Sequence, residues 1–390
     1  MKPSLSPGRR SSEPLARVTQ LDGLRGFAFL VVFVVHLNLP SGLPEAHPWI
    51  ERLKELGWIG VPLFFTLSGY LITELALREG PAFSLRRFYA RRALRLWPLY
   101  FTVVVLGLLA WQVPQLRELR LAASPHWAVP LCTFTMNTAL SGNPDGARSA
   151  GALIPLWTLC VEMQFYLFWA VVLRYSSRRW ALVFCLAILL ASLVARFVVP
   201  LDRYFLFYRM HTVVNCVPIM IGAALALLNA KRWRLSETTS NVGLAGAVIA
   251  GLILAYLEWP FPTHTWSGAL LLIAADTLCL MLLLLTLCGA GFLRTVFESR
   301  PMRRAGTLSY AGYVFHLPVL WSYYPMKEAL LGGSSWRLPN TVSVALDAAV
   351  CLTITLICAS LWHSLERPLR RARAELRMPQ ARDLSPAGAP

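Results

Sequence analysis

The apolar stretch 21–40 has the hydrophobicity of a membrane span, yet it contains Arg25 near one end and His36 towards the other. Eleven residues of an α-helix make three turns plus about 20°, so both side chains project from one face, about 16 Å apart along the axis. A charge at the centre of a span costs at least about 2.5 kcal/mol, so we expect both groups to face the interior of a helical bundle. The alternative is that Arg25 snorkels to the interface and His36 only satisfies a neighbouring helix.

A cluster of arginines occurs in FSLRRFYARRALRLWPLY, residues 83–100, at the predicted entrance of a later span. Arg92 and Arg95 lie three residues apart on adjacent helical faces, with Arg91 beside them. Guanidinium groups bind phosphates bidentately, so this cluster suits a ligand with several phosphates, such as coenzyme A. A loop that sets topology and binds lipid headgroups is the alternative.

Glu162 lies in the middle of its predicted span, with Tyr166 one turn further on the same face. An unpaired carboxylate in a membrane tends to take up a proton, so we expect Glu162 to have a partner, with Arg25 and His36 as candidates. The expected role is functional, and a purely structural ion pair is the alternative.

Ser309, Tyr313 and His316 share one helical face at spacings of four and three residues. They could contact the acyl acceptor or the donor, or make ordinary interhelical hydrogen bonds. Ser68 and Gly69, in LSGYL, favour close helix packing.

Six segments follow one another along the chain: LDGLRG with its Arg and His eleven apart, GVPLFFTLSGYLIT (60–73), RRALRLWP (91–98), PLWTLCVEMQFYLFW (155–169), GTLSYAGYVFHLPVL (306–320) and HSLERPLR (363–370). In this order they resemble the motifs of the acyltransferase-3 family of integral membrane acyltransferases, over residues 21 to 370. The chain departs from the family pattern at Pro62, where many members have Asp, and at Thr158 and Cys160. We expect the O-acetylase type without a fused esterase-like domain.

The resemblance implies a ten-helix membrane enzyme that transfers an acyl group, usually acetyl, from cytoplasmic acyl-CoA to a hydroxyl. Its acceptor would be a glycan, a lipid-linked sugar or a glycosylated small molecule. Acyl-CoA, usually acetyl-CoA, would be a co-substrate, with no permanently bound cofactor. The resemblance further implies that His36 is catalytic, that Arg25 is its motif partner, and that Arg92 and Arg95 are associated with the donor.

A neutral imidazole is a suitable base at neutral pH, so His36 would deprotonate the acceptor as it attacks the thioester. Direct transfer is expected because no Ser or Cys stands beside His36 in the sequence, and an acyl-enzyme formed on a nucleophile from another helix is the alternative. At about 16 Å from His36, Arg25 would shape the site or guide the donor. The predicted site therefore comprises catalytic His36, Arg25 and Glu162, donor-binding Arg92, Arg95 and Arg91, and substrate-binding Tyr166, Ser309, Tyr313 and His316.

The elements that must position these residues are membrane helices. Of the 390 residues 56% are hydrophobic and only 15% are charged, which predicts an all-α polytopic membrane protein. Ten apolar runs predict ten spans, at 21–40, 57–77, 96–113, 153–173, 180–199, 213–229, 241–258, 268–291, 307–325 and 341–364. A shorter run near 127–140, broken by Pro130, predicts a re-entrant or interfacial segment.

The distribution of charge predicts the orientation. Although the net charge is +17, 27 of the 37 Lys and Arg residues fall on one side of the predicted topology and 9 in the opposite loops. This bias predicts that both termini are cytoplasmic, and it favours contact with membrane lipids over a nucleic acid partner. We expect a multi-pass cell-membrane protein, in the bacterial inner membrane.

Three parts are predicted along the chain: a disordered cytoplasmic tail at 1–18, a transmembrane domain at 19–370 and a basic cytoplasmic tail at 371–390. The eight cysteines are scattered singly, without a CxxC pair or a nearby His at ligand spacing, so we expect no metal site.

Two other functions fit part of the pattern. Intramembrane charges and ten helices also occur in a transporter or exchanger for an anionic solute, although the chain shows no internal repeat. The other is a non-catalytic scaffold that retains the bundle.

Overall fold

The computed structural model describes residues 19–39, 43–142, 146–200, 209–229, 233–257, 265–331 and 340–375. Every regular element among them is helical. Ten of these helices have 16 or more residues: α1 (Thr19–Val35), α2 (Gly60–Glu79), α3 (Leu85–Ala110), α4 (Leu156–Tyr175), α5 (Arg178–Val198), α6 (Thr212–Leu227), α7 (Glu237–Leu257), α8 (Thr265–Cys288), α9 (Arg300–Leu331) and α10 (Asn340–Leu365). Each overlaps one predicted span, although α3 begins well before the predicted 96–113 and α9 extends beyond both ends of 307–325.

Seven helices of the described residues are long and apolar enough to cross a membrane, and they include α2, α3, α4, α5, α7, α8 and α10. The other three predicted spans correspond to α1, α6 and α9, which do not combine that length with that hydropathy. The chain is therefore a multi-pass membrane protein, and the count of ten spans stays a prediction, as do the cytoplasmic termini.

The predicted tails fall largely outside the described residues. Residues 371–375, predicted as the start of the basic tail, belong to the short helix Arg367–Glu375. The run near 127–140 forms two short helices, Ala128–Cys132 and Met136–Ser141, rather than a continuous span. Gln164 of α4 donates to the Phe134 carbonyl between them at 2.7 Å, which ties this segment to the bundle.

Helices α1 and α9 pack closely because glycines lie at their crossing. A Cβ at Gly26 would overlap the carbonyl oxygen of Met302, and one at Gly306 would overlap that of Asp22. Further along, the ring of Phe29 lies against Gly312. The two helices therefore run side by side in the same direction. The predicted ten-span topology also requires this of its first and ninth spans.

Helices α2 and α6 pack by the same device. A Cβ at Gly69 would overlap the Ile219 carbonyl, and one at Gly222 would overlap the Thr66 carbonyl. Small residues allow such close backbone approach between membrane helices. This close approach confirms the packing role expected of Gly69. Ser68, one residue earlier in the helix, contacts Glu162 of α4 instead.

A buried ion pair joins α5 to α8. Arg196 Nη1 lies 2.5 Å from an Asp276 carboxylate oxygen, and Arg196 Nη2 donates to the Val214 carbonyl of α6 at 2.8 Å. Both charged side chains are almost completely buried. The pair connects three helices, α5, α6 and α8.

Candidate active site

A cavity lies between helices α1, α2, α3, α4 and α9. It contains both apolar and ionisable side chains. Its lining residues are Arg25 of α1, Val61, Phe64, Phe65, Ser68 and Leu71 of α2, Arg92, Arg95 and Leu96 of α3, Thr158, Leu159, Glu162 and Tyr166 of α4, and Ser309, Tyr310 and Tyr313 of α9. Seven residues of the predicted site therefore face one cavity, although they come from four helices.

Three guanidinium groups line the cavity. The α3 helix begins after Ser84, which caps it by accepting from the Arg87 backbone N–H, and this start places Arg92 and Arg95 in its second and third turns. The guanidinium of Arg25 enters from α1, where its nearest carboxylate is Asp22 at 3.7 Å. Within the described part of the chain Arg95 makes no ion pair. The cavity therefore has an excess of positive charge.

Arg91 has a different neighbour from the arginine that follows it. Its Nη2 atom lies 2.7 Å from a carboxylate oxygen of Glu79, and Arg91 is not among the residues that line the cavity. Consecutive helical residues point about 100° apart, so Arg91 and Arg92 cannot face the same wall. The donor-binding role of Arg91 stays a prediction without support from this geometry.

Glu162 joins two helices at the cavity wall. It accepts a hydrogen bond from the Ser68 hydroxyl of α2 at 2.5 Å and another from the Tyr166 hydroxyl at 2.9 Å. Among the described residues it pairs with neither Arg25 nor His36, so the expected partners were wrong. Two hydroxyl donors satisfy the carboxylate instead, and its neighbourhood is positive because Arg92 lies close enough to interact with it electrostatically.

Tyr166 also contacts an arginine. The guanidinium carbon of Arg92 lies 5.1 Å from the Tyr166 ring centroid and 5.6 Å from that of Phe88. Cation–π contacts of this kind hold a guanidinium in place without occupying its hydrogen-bond donors. The N–H groups of Arg92 therefore remain available to a ligand in the cavity.

The Tyr313 hydroxyl of α9 is held against the start of α4, whereas that of Ser309 bonds within α9. Thr158 donates to the Tyr313 hydroxyl at 3.0 Å, while Tyr313 donates to the Pro155 carbonyl at 3.2 Å. Ser309 donates to the Gly306 carbonyl one turn earlier. The shared helical face predicted for Ser309 and Tyr313 is thus directed into the cavity.

His36 and His316 lie beside the cavity rather than on its wall. His36 follows the last residue of α1, and its ring centroid lies 4.8 Å from that of His316 on α9. His316 in turn contacts the Tyr313 ring, with centroids 5.4 Å apart. Tyr313 therefore separates the histidine pair from the part of the cavity that holds the arginines.

Several lining residues were not predicted. Phe64, Ser68 and Leu71 occur at spacings of four and three residues, which places them on one face of α2, and this spacing could have identified them. Thr158 was noted only as a departure from a family motif, although it hydrogen-bonds Tyr313. Within the described ranges no group of three or more His, Cys, Asp and Glu residues is placed to hold a metal ion.

The arrangement can perform two chemical tasks. Unpaired guanidinium donors in a partly apolar cavity can bind phosphate or another polyanion. A neutral imidazole next to such a cavity can accept a proton from a hydroxyl group. Together they suit the transfer of a group from an anionic donor to an alcohol.

Comparison with known proteins gives matches along most of the chain. The model of an acyltransferase domain, acyltransferase 3, matches residues 18–363. YrhL of Bacillus subtilis is 28% identical over 383 residues, which cover 90% of this chain and 54% of YrhL. Its name describes it provisionally as a peptidoglycan O-acetyltransferase. The peptidoglycan O-acetyltransferase OatA of Listeria monocytogenes is 27% identical over 377 residues, covering 91% and 56%. The O-acetyltransferase OatA of Staphylococcus aureus is 24% identical over 327 residues, covering 78% and 51%.

The chain thus spans about half the length of the curated relatives it matches. No solved structure gives a significant match. Because the family model extends over nearly all of the helical bundle, including every cavity-lining residue, the chain belongs to the acyltransferase-3 family.

Proposed function

We propose that this protein is a membrane-bound O-acyltransferase that moves an acyl group, usually acetyl, from cytoplasmic acyl-CoA to a hydroxyl of a carbohydrate or glycosylated acceptor. The observation that supports this most is the cavity in which Arg25, Arg92 and Arg95 face one carboxylate, Glu162, beside a pair of histidines. Family membership and the names of the relatives agree with an acyl transfer to a hydroxyl.

Arg92 and Arg95 would bind the phosphates of the donor. Both lie in the part of α3 nearest its first residue, the end for which the charge distribution predicts a cytoplasmic location. Arg25 would provide a third positive charge from α1. From this region the cavity continues past Glu162 and Tyr166 towards Tyr313, so the thioester end of the donor would lie towards the histidines.

His36 would act as the general base. As the acceptor oxygen forms a bond to the thioester carbonyl carbon, its proton passes to the imidazole of His36. The carbon–sulfur bond then breaks, and the proton is delivered to the leaving thiolate, giving the O-acyl product and free CoA. Tyr313, Ser309 or the arginines could donate hydrogen bonds to the oxyanion that develops on the carbonyl.

The acceptor would be a carbohydrate. Two relatives are named for peptidoglycan, which favours a cell-surface glycan among the acceptors that the sequence leaves open. The anionic-solute transporter is less favoured, because the family match is to an acyltransferase domain.

The proposal is tested with the purified full chain in lipid nanodiscs and radiolabelled acetyl-CoA. We expect saturable donor binding, slow hydrolysis, and faster turnover when carbohydrate acceptors are added. If the protein neither binds nor turns over acetyl-CoA, and reconstituted vesicles take up solute, the proposal that it is an enzyme is refuted.

The acceptor is identified by mass spectrometry of surface glycans and secreted glycosides from cells with and without the gene. An acetyl mass that depends on the gene, and that disappears in a strain carrying His36→Ala, is the expected result.

A further inference from the structure

His36 and His316 make direct contact across the α1–α9 interface. His36 Nδ1 lies 2.8 Å from the Val32 carbonyl oxygen and 3.3 Å from His316 Nε2. The other ring nitrogen of His316, Nδ1, lies 2.5 Å from the Tyr313 carbonyl oxygen. His316 is completely buried, so water does not replace these partners.

These contacts determine which ring nitrogens hold protons. A carbonyl oxygen can only accept, so His316 Nδ1 must donate to Tyr313 and is protonated. In the neutral ring this leaves a lone pair on His316 Nε2. His36 Nδ1 then faces two acceptors, the Val32 carbonyl and His316 Nε2, and must itself hold the proton. The unprotonated nitrogen of His36 is therefore Nε2.

We propose that His316 is a positioning residue, which holds His36 as the Nδ1–H tautomer and stabilises the imidazolium that forms when His36 Nε2 takes the acceptor proton. The inference rests on the proposed role of His36 as the base. In serine hydrolases an Asp has the equivalent position behind the catalytic His, and here a neutral imidazole provides the acceptor. Nothing in the sequence motif assigns this role to His316.

The charges around His36 oppose its protonation, so a second hydrogen-bond acceptor for its Nδ1–H stabilises the imidazolium. The other charged groups that act on its ring are Lys54, from the helix Pro48–Glu55, and Arg209, which precedes α6. Both are cationic, although Lys54 is paired with Glu51 at 3.1 Å and with Glu55 at 3.2 Å. A cation forming on His36 is opposed by these charges. A three-centre hydrogen bond, in which its single Nδ1–H is shared between the Val32 carbonyl and His316 Nε2, offsets part of that cost.

The T-shaped arrangement of the two rings adds an orientation effect. Their planes meet at 63° with centroids 4.8 Å apart, so the His316 ring limits rotation of His36 about its side-chain bonds. The carbonyl that orients His316 is that of Tyr313, whose side chain lines the cavity. The group that orients His316 therefore lies in the helical turn that faces the cavity.

Nitrogen NMR of histidine-labelled protein in nanodiscs tests the tautomer directly. The chain has seven histidines, and the His36 signals are assigned by their loss in His36→Asn. We expect His36 to be protonated on Nδ1 in the wild type, and its Nδ1 signal to shift in His316→Leu. A wild-type proton on His36 Nε2 would overturn the proposal.

Kinetics separate positioning from packing. His316→Leu removes both ring nitrogens, whereas His316→Gln provides a side-chain oxygen acceptor near the place of Nε2. We expect His316→Leu to lower kcat about 100-fold with the KM for acetyl-CoA unchanged. The kcat of His316→Gln should be at least about tenfold higher than that of His316→Leu. His126→Gln, at an exposed histidine that contacts Ser124, is the matched control.

Equal losses in the two His316 variants, with the His36 signals unchanged, would assign His316 to packing and refute the proposal. Thermal denaturation of each variant shows whether the bundle is intact. If the wild type transfers no acetyl group at all, the proposed function fails, and the nitrogen spectra then decide the positioning role by themselves.

Discussion

Arg25 of α1 lines the central cavity, whereas His36, eleven residues later and just past the end of that helix, lies beside the cavity against His316. Tyr313 lines the same cavity as Arg25 and also contacts His316, the ring neighbour of His36. This separation agrees with the proposed function, in which Arg25 would bind the anionic part of the donor and His36 would take the proton of the reacting hydroxyl.

Removing a cavity arginine should weaken donor binding. A hydrogen bond to a charged group contributes about 1.5–3 kcal/mol, so we expect Arg92→Ala and Arg95→Ala each to raise the KM for acetyl-CoA tenfold or more. Arg86→Ala, an exposed arginine at the start of the same helix, is the control and should leave the KM unchanged. Binding of labelled acetyl-CoA to nanodisc samples measures the effect. Similar KM values in all three variants would remove the arginines from the donor site.

Neutralising Glu162 should affect activity more than stability. Glu162→Gln retains an oxygen acceptor for Ser68 or Tyr166 but removes the negative charge beside Arg92. We expect kcat/KM to fall about tenfold, with a midpoint of thermal denaturation close to that of the wild type.

The control for Glu162 is Asp347→Asn. Asp347 is a buried carboxylate that pairs with Lys327 at 2.7 Å and does not line the cavity. This variant should lower the denaturation midpoint and leave the KM for acetyl-CoA unchanged. If Glu162→Gln behaves in the same way as Asp347→Asn, the role of Glu162 is structural.

The α1–α9 crossing should not tolerate a methyl group. Gly306→Ala would place its Cβ on the Asp22 carbonyl oxygen, so the helices must separate, at a cost of about 1–3 kcal/mol. Because this crossing positions Arg25 against α9, activity should fall together with the denaturation midpoint. Gly246→Ala, which would meet nothing within 4 Å, is the control. A fully active and stable Gly306→Ala protein would contradict the packing described.

Breaking the buried ion pair should destabilise the bundle strongly. Arg196→Leu leaves Asp276 as a buried charge without its ion-pair partner, for which we expect a loss of about 3–5 kcal/mol. The double variant Arg196→Leu with Asp276→Leu should be substantially more stable than Arg196→Leu alone. Denaturation in detergent, monitored by circular dichroism, measures both.

The exposed pair Arg294–Glu298, with side chains 55% and 36% accessible, provides the control. Arg294→Leu should change stability by less than about 1 kcal/mol, since exposed ion pairs contribute little. Equal losses in Arg196→Leu and Arg294→Leu would show that the buried pair has no special role.

The approximate positions of the long helices follow from the apolar runs in the sequence alone. A bilayer requires runs of about 20 apolar residues, and each of the ten predicted runs overlaps one of the ten long helices of the described chain. Relations within one helix were predictable for the same reason, because helical geometry is local. Tyr166 does contact Glu162 one turn away, and Ser309 and Tyr313 do face the same cavity.

Contacts between helices could not be read from these patterns. Glu162 was expected to meet Arg25 or His36, yet it meets Ser68 of α2. Adjacent Arg91 and Arg92 have the same chemistry, but one pairs with Glu79 and the other lines the cavity. Which partner a side chain meets depends on how each helix is rotated about its axis and where it crosses its neighbours. Those angles are set by non-local packing at residues such as Gly26, Gly69, Gly222 and Gly306, and only the folded bundle specifies them.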